Sequence, residues 1–342
     1  MLKKILAQGL VLGSLCIPPI LQAIAADKLA AAPAPTPYRI TMVVFRGCED
    51  ACKGFKDYWT RRKIPVEIEV LDAATDASKI PGFVMRVRAS KPDLLVTWGT
   101  TVSLQMLGAH DAVDPQRHIT DIPALFMIAS NPVGSKIVPD LKSSGRNVSG
   151  TLYLVPLETQ LRAARLYTSF RRVGFLHNPS ENNSNVTRDE LKALSGKFQF
   201  KLVERAIPLD GSGKPGKDHL PRLVSELADE QVDLLYLSPD SFLILNRDAI
   251  TEAAVQRKLP VLAAAEAAVR ESSALMGVVN RYYTAGQLTA SKAERILVER
   301  ALPKNIPIEA PPGFTFLVNM RVAQSLQRFP PIRVIKIAAI VP

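Results

Sequence analysis

Short polar motifs follow four apolar runs of the sequence, so hydroxyl, amide and carboxylate groups come directly after predicted strands. Small polar side chains cap the free N–H groups at a helix start, and these N–H groups attract anions. Each motif alone is an ordinary helix cap. Together they predict a ligand-binding cleft at the carboxyl ends of the strands of an open α/β sheet. The motifs are Gly99-Thr100-Thr101, Ser130-Asn131-Pro132, His177-Asn178-Pro179 and Ser238-Pro239-Asp240.

Few carboxylates are placed to meet a cationic group of a ligand. Glu49 lies in the first strand-to-helix loop, and Asp240 and Glu266 each follow a later predicted strand. Acids also occupy helix starts because the helix dipole stabilises them there, so both interpretations stand. Asn280 ends another predicted strand and can donate or accept hydrogen bonds. His177 is either a hydrogen-bonded histidine at the rim or a ligand contact.

The sequence lacks the motifs of common catalytic and metal sites. It contains no Gly-x-Ser-x-Gly elbow for a hydrolase nucleophile, and its four histidines have no metal-ligand spacing. A glycine-rich segment at 211–218 ends in Lys217-Asp218, whereas a phosphate-binding loop needs Ser or Thr after the lysine. The motif residues are therefore predicted to bind rather than to catalyse, with no cofactor and no metal.

The amino terminus has the three parts of a secretory signal. Lys3-Lys4 precedes an apolar core, and Ala23-Ile24-Ala25 forms a small-residue cleavage site. We therefore predict a signal peptide at 1–25, an Ala/Pro tether at 26–37 and a mature protein in the periplasm. Cys48 and Cys52 would then meet an oxidising compartment, which favours a disulfide between them. A pair of reduced thiols is the alternative.

Length and composition indicate an ordinary α/β protein. The 342 residues suffice for two lobes with separate cores. The formal net charge is +11, but the basic residues are scattered among acids and no basic-aromatic RNA motif occurs. This pattern predicts a generally positive surface and no nucleic-acid partner.

Strand-like and helix-like runs alternate along the chain, which predicts two doubly wound parallel-sheet lobes joined by hinge strands. In the first predicted lobe a helix is expected after each strand. The helix after the strand at 123–128 is expected to reach about Lys142. A late helix at 284–300 and a late strand at 314–318 are placed as returns to the first and then the second lobe. The predicted division is 38–152 plus about 283–308 for lobe 1, 153–282 plus about 309–326 for lobe 2, and a C-terminal tail at 327–342.

Four blocks of sequence resemble a known family. They are the run 94–101, the run 122–134 with 145–151, Gly277-Val-Val-Asn-Arg-Tyr-Tyr-Thr-Ala-Gly286, and Ala310-Pro-Pro-Gly-Phe-Thr-Phe-Leu-Val-Asn319. In their order they resemble the ATP-binding-cassette (ABC) transporter substrate-binding proteins that include tryptophan-binding members. The resemblance extends from about Tyr38 to Leu326.

The resemblance implies a type I periplasmic-binding-protein architecture, in which two lobes close on a small ligand and deliver it to an ABC permease in the inner membrane. It implies an amino-acid-like or carboxylate-bearing ligand, with Phe45, Trp98 and Tyr153 as a flat apolar wall. Many relatives have an acid at the position of Asn280, so an amine ligand would need Glu49 or Glu266 instead. The full set of predicted ligand-binding residues is Phe45, Glu49, Trp98, Gly99, Thr100, Thr101, Ser130, Asn131, Tyr153, His177, Asn178, Ser238, Asp240, Glu266 and Asn280.

These observations lead to one main functional hypothesis and two alternatives. The main hypothesis is a monomeric, non-enzymatic solute-binding component of an ABC importer. The first alternative is an exported ligand-sensing receptor that feeds a membrane signalling protein. An exported α/β enzyme is the remote alternative, because no nucleophile is visible.

Overall fold

Two separate β-sheets organise residues 36–342, the part of the chain that the computed structural model describes. The predicted signal peptide and the predicted tether up to residue 35 lie outside the described residues. Within residues 36–342, no helix is both long enough and apolar enough to cross a membrane.

The first sheet has five parallel strands. Its central strands are continuous apolar runs, which is typical of a parallel sheet covered by helices on both faces. The strands are β1 (Tyr38–Val44), β2 (Val66–Asp72), β3 (Leu94–Trp98), β4 (Ala124–Ala129) and β5 (Val148–Leu152). They lie in the order β2-β1-β3-β4-β5. The intervening helices are α1 (Asp50–Arg62), α2 (Ile80–Ser90) and α3 (Thr100–Leu107).

The second sheet has seven strands, and all of its neighbouring pairs are parallel except one. Its strands are β6 (Arg172–His177), β7 (Lys201–Ala206), β8 (Leu234–Leu237), β9 (Val261–Ala263), β10 (Met276–Val279), β11 (Thr315–Asn319) and β12 (Ala339–Val341). Their order is β12-β11-β10-β9-β8-β6-β7, and β10 and β11 form the antiparallel pair.

Amphipathic helices cover the second sheet. In one of them the buried residues Leu220, Leu223, Val224 and Leu227 recur at helical spacing and face the core. The helices are α4 (Leu157–Tyr167), α5 (Asn182–Phe198), α6 (Leu220–Asp229), α7 (Ser241–Leu245), α8 (Arg247–Gln256) and α9 (Glu266–Arg270).

The chain then returns to the first sheet through α10 (Tyr282–Leu297), whose buried alanines belong to the core of the first lobe. This helix packs closely on α1. Glycines make the approach possible, because a Cβ at Gly54 or at Gly286 would collide with the backbone carbonyl of Tyr283 or Ala51. The late strand β11 joins the second sheet.

The structure differs from the predicted organisation at the C terminus. The predicted tail contains α12 (Ile332–Ile335) and β12, after α11 (Met320–Ser325). Strand β12 pairs in parallel with β11, so Ala339 lies beside Leu317 and Val341 beside Asn319. A strand of only three residues leaves little periodic signal, which explains why the pattern predicted a tail.

The prediction of a helix from Pro132 to about Lys142 was wrong. The segment forms turns, because the side-chain oxygen of Asn131 caps a single turn by accepting from the Gly134 N–H at 2.8 Å. The backbone of Lys136 then adopts a left-handed conformation at φ 60°, which ends that turn, and Pro139 follows.

Candidate ligand-binding site

A narrow cavity lies between the lobes, at the carboxyl ends of strands from both sheets. It is nearly closed, with a cavity volume of about 10 Å³. This is room for about one water molecule, so a larger molecule fits only when the lobes move apart. Six predicted site residues line it, all from the first lobe: Phe45, Trp98, Gly99, Thr100, Thr101 and Ser130. The cavity is therefore built at the strand ends that the polar motifs marked.

The end of β3 turns into α3 at Gly99, whose φ of 84° suits a residue without a side chain. Thr100 is the first helical residue, and its Oγ1 accepts a hydrogen bond from the Ser130 N–H at 3.4 Å. This bond joins the ends of β3 and β4. The N–H groups at the start of the eight-residue helix α3 therefore border the cavity.

Arg46 is a buried cation in the cavity wall that the sequence patterns did not indicate. Its guanidinium lies 4.9 Å from the centre of the Trp98 ring, and its Nε lies 2.8 Å from Glu49 Oε1. It also donates a 3.3 Å hydrogen bond to the Ser241 carbonyl of the second lobe. Burial by itself lowers the pKa of Arg46, but Tyr282 and Glu49 outweigh that effect and raise it, so the side chain stays charged.

Ile128 lines the cavity with an unusual backbone. Its φ of 58° is left-handed, which is an outlier for a β-branched residue. The pairing of β4 with β5 shifts register between Phe126 and Ala129, on either side of Ile128. Strained backbone of this kind concentrates at functional sites, where the surrounding structure holds it.

The wall from the second lobe contains two buried carboxyl groups close together. Glu181 accepts hydrogen bonds from the Ser241 and Phe242 N–H groups at 3.1 Å each, and Asp240 accepts one from the Leu243 N–H at 2.8 Å. Burial raises the pKa of both groups, and the charge of Glu181 raises the pKa of Asp240 further. Asp240 therefore takes up a proton more readily than an exposed aspartate.

Three buried polar atoms near these strand ends have no hydrogen-bond partner among residues 36–342. They are Trp98 Nε1, Ser238 Oγ and Asp240 Oδ2. Trp98 lines the cavity, whereas Ser238 and Asp240 flank Pro239, which also lines it. Most buried polar groups in native proteins have a partner, because leaving one unpaired costs roughly 1–3 kcal/mol. Of the three, only Trp98 Nε1 belongs to a lining residue, and it is a donor that a polar ligand in the cavity can engage.

Tyr153 and Asn280 lie where the chain crosses between the lobes, and neither lines the cavity. The Tyr153 hydroxyl is 3.1 Å from Ser130 Oγ, and its ring packs edge-on against Tyr282. Asn280 Nδ2 donates to the Tyr153 carbonyl at 2.8 Å. The two residues therefore support the wall and fix the crossing.

His177, Asn178 and Asn131 also lie outside the lining. His177 Nε2 lies 2.6 Å from Asn185 Oδ1, and the Asn178 side chain accepts from the N–H and hydroxyl of Ser180. His177 and Asn178 thereby shape the loop before α5, and Asn131 caps the turn at Gly134. In this structure the three side chains hold the loops that carry lining residues.

A wider groove continues the cleft toward solvent, with a volume of about 470 Å³. Glu49 and Glu266 line it from opposite lobes, together with Arg247, Arg270 and Arg281. Burial raises the pKa of Glu266, although Arg270 Nε lies 3.4 Å from its carboxylate. These two predicted residues thus lie at the mouth of the cleft.

Cys48 and Cys52 form a disulfide, as the sequence predicted. The bond closes the loop between β1 and α1, the same loop that carries Arg46 and Glu49. No group of three or more His, Cys, Asp or Glu side chains is arranged to hold a metal ion anywhere in residues 36–342.

The residues that sequence reasoning missed come from loops it had already marked. Arg46 directly follows Phe45, whereas Glu181 and Asn183 lie four and six residues after the end of β6 at His177. Ser241 lies four residues after the end of β8. Extending each strand-end motif by a few residues would have included them. Ile128 and Tyr282 are the other missed lining residues, and Pro239 of the Ser238-Pro239-Asp240 motif also lines the cavity.

Two doubly wound lobes with a cavity between their strand ends define a type I periplasmic-binding-protein fold, which confirms the predicted fold class. Residues 46–341 match the family model for ABC transporter substrate binding protein, and the chain belongs to that family. The tyrosine-binding protein of Clostridioides difficile (strain R20291) is 25% identical over 218 residues. That alignment covers 64% of this chain and 57% of the relative, so this chain spans little more than half of the relative's length.

Solved structures share the fold. A conserved domain protein from Vibrio cholerae O1 biovar eltor superposes with a TM-score of 0.77 at 22% identity, covering 89% of this chain and 99% of the other. An ABC domain from Streptococcus pneumonia, crystallised in complex with L-Trp, also gives a TM-score of 0.77 at 23% identity, covering 90% and 100% of the two chains.

Proposed function

We propose that this protein is the periplasmic solute-binding component of an ABC importer and captures a small molecule between its two lobes. The observation that carries the proposal is the cavity lined by strand ends of both lobes and bridged by the Arg46–Ser241 hydrogen bond. A ligand at that position contacts both lobes, so its binding favours the closed arrangement. An ABC permease in the inner membrane is the partner that receives it.

The ligand is an amino-acid-like molecule that bears a carboxylate. One relative is named for tyrosine and a structural neighbour was crystallised with L-Trp, which supports this class. The N–H groups at the start of α3 and the Arg46 guanidinium suit a carboxylate. Phe45 and Trp98 offer apolar faces for a side chain.

Glu181 is the acid that we assign to an amine group of the ligand. Asn280, at the position where many relatives have an acid, donates its amide to Tyr153 instead. Glu181 belongs to the cavity lining itself, whereas Glu49 and Glu266 lie at the mouth. The negative charge of Glu181 is held by two backbone N–H groups, which keeps its oxygens oriented.

We assign 38–152 with about 283–308 to the first lobe and 153–282 with about 309–342 to the second, because β12 pairs with β11. The lobes turn about the chain segments that cross between them. The crossing near Leu152 and the crossing near Glu309 run side by side, because the Leu152 N–H donates to the Glu309 carbonyl at 3.0 Å. A few residues at the ends of elements can absorb such a rotation. Gly150 and Gly277 border these segments.

Calorimetry with L-tyrosine, L-tryptophan and the other amino acids tests the proposal, together with native mass spectrometry for a small molecule retained during purification. Binding accompanied by a decrease in the radius of gyration in X-ray scattering supports it. Thr100→Ala is expected to weaken binding, whereas Thr60→Ala, an exposed threonine on α1, is the matched control. If no small molecule binds or closes the lobes, the proposed role in solute import is wrong.

A deletion of the gene distinguishes import from sensing. Loss of uptake of the bound solute supports the importer. Normal uptake with altered signalling favours the ligand-sensing receptor, because a receptor shares the same cleft but has a different membrane partner.

A further inference from the structure

A second surface of the protein, on the second lobe and outside the cleft, combines exposed apolar side chains with unpaired cations. Six large apolar residues between positions 314 and 340 are 43% to 74% exposed: Phe314, Phe329, Ile332, Ile335, Ile337 and Ile340. Contiguous exposed apolar surface on a water-soluble domain marks an interaction site. We call the face formed by α4, α12 and residues 314 and 337 the C-terminal face.

The apolar part of the C-terminal face is a groove with a volume of about 560 Å³. Leu166, Phe198, Phe314, Phe316 and Ile337 line it. Helix α12 lies next to it, because Arg333 Nε donates to the Leu166 carbonyl at 3.1 Å. Ile332 and Ile335 on this helix are also exposed.

A cationic groove with a volume of about 720 Å³ adjoins the apolar one. Arg162, Arg165 and Phe198 line both grooves, and Arg171 and Lys197 line only the cationic one. Arg162 and Lys197 share the carboxylate of Glu158.

Arg165 and Arg171 are the cations of this groove that stay available. Within residues 36–342, neither has a carboxylate at ion-pair distance. Arg165 instead lies 3.9 Å from the centre of the Phe170 ring and donates to the Phe198 carbonyl. Asp233, the acid in the groove lining, accepts from the backbone N–H groups of Arg171 and Arg172. The groove therefore keeps an excess of positive charge.

We propose that the C-terminal face docks on a membrane surface that contains anionic phospholipid. The cationic groove complements the phosphate headgroups, and the adjoining apolar groove with Ile332 and Ile335 meets the acyl boundary. Segments that lie in a membrane interface have this combination of an apolar face and basic residues. The chain from 327 to 342 contributes Arg328, Arg333 and Lys336 and contains no Asp or Glu. A protein partner with an acidic surface would match the cations but leave the apolar groove unexplained.

Co-sedimentation with lipid vesicles tests this proposal. Protein is expressed from its full sequence, and mass spectrometry of its N terminus ensures that all variants compared begin at the same residue. Wild-type protein is expected to bind vesicles of phosphatidylcholine mixed with phosphatidylglycerol, to bind pure phosphatidylcholine much more weakly, and to lose binding as salt is raised. Equal binding to both vesicle types, or no binding, overturns the proposal.

Paired variants locate the surface. Arg165→Gln with Arg171→Gln is expected to lower the partition constant roughly 25-fold, about fivefold for each cation. Arg117→Gln with Lys79→Gln removes the same charge from exposed residues of the first lobe and is expected to have little effect. Equal losses in the two pairs would mean that only net charge matters, which contradicts a defined face.

Ile337→Ser and Met85→Ser form a second pair, since both side chains are more than half exposed. Only Ile337→Ser is expected to weaken vesicle binding. Calorimetry at the cleft is expected to give the same result for all variants, which separates this proposal from the proposed function. If wild-type protein forms a dimer that Ile337→Ser dissociates, a second copy covers the face and the membrane proposal is wrong.

Discussion

The guanidinium of Arg46, in the first lobe, donates a 3.3 Å hydrogen bond to the backbone carbonyl of Ser241, in the second. The same group lies over Trp98 and is paired with Glu49, so its position is fixed from the first lobe. Ser241 is fixed in turn, because its N–H donates to the buried carboxylate of Glu181. The contact therefore joins two rigid parts across the cleft.

Arg46→Gln is expected to loosen the closed arrangement. It removes a charge-assisted hydrogen bond between the lobes, worth roughly 1.5–3 kcal/mol. Binding of L-tyrosine or L-tryptophan should weaken by roughly tenfold to a hundredfold, and the radius of gyration should increase in X-ray scattering. Lys53→Gln removes a cation at the mouth of the cleft that pairs only with Asp50 of its own lobe, and it should change neither quantity. An unchanged Arg46→Gln variant would show that the bridge is not needed for closure.

The sequence indicated which strand ends of the first lobe border the cavity, because a strand followed by a small polar residue is a local pattern. Trp98, Thr100 and Ser130 accordingly line the cavity. It did not predict Arg46 or Glu181, because a charged residue in a loop has the same local signal whether it faces solvent or is buried. The burial of Arg46 and Glu181 depends on how the two lobes meet, and this arrangement cannot be inferred from the sequence of one segment.

Helix packing was only partly predictable for the same reason. The periodicity of 284–300 indicated a helix, but its tight contact with α1 depends on Gly54 and Gly286, two glycines inside helices. In a sequence such glycines look like weak points of a helix. The prediction of a helix reaching Lys142 was wrong for a different reason. The single turn capped by Asn131 has the same sequence pattern as the start of a helix.

Gly286→Ala is expected to destabilise the protein by roughly 1–3 kcal/mol, because the added Cβ meets the Ala51 carbonyl and forces α1 and α10 apart. Gly196→Ala is the matched control. It lies in α5 with no atom near the new Cβ, so it should be neutral or should stabilise by up to about 1 kcal/mol. Urea unfolding measures both, and equal effects would contradict the close approach of the two helices.

Reduction of the Cys48–Cys52 disulfide is expected to lower the free energy of unfolding by about 2 kcal/mol, the chain-entropy value for so short a loop. The measurement is urea unfolding with and without a reductant. The Cys48→Ser variant should show no further response to the reductant. If the variant and wild type respond alike, the reductant acts elsewhere. Ligand binding should also weaken on reduction, since the bonded loop carries Arg46.

Lys292 gives the stability a pH dependence of predictable sign. Its buried Nζ donates to the Gly150 carbonyl at 2.9 Å and the Pro307 carbonyl at 2.6 Å, where the lobes join. Burial lowers its pKa from 10.5 to about 8, although Glu309 opposes the shift. Between these values the folded state therefore binds fewer protons than the unfolded state, so the free energy of unfolding rises with pH from about 8 to 10.5. The gain is lost as pH falls back to about 8, and below that Lys292 is protonated in both states and adds no further change. Lys292→Met should remove a rise of about 3 kcal/mol in the free energy of unfolding between pH 8 and 10.5. The exposed Lys304→Met control should keep that rise, and parallel curves for wild type and Lys292→Met would refute the shift.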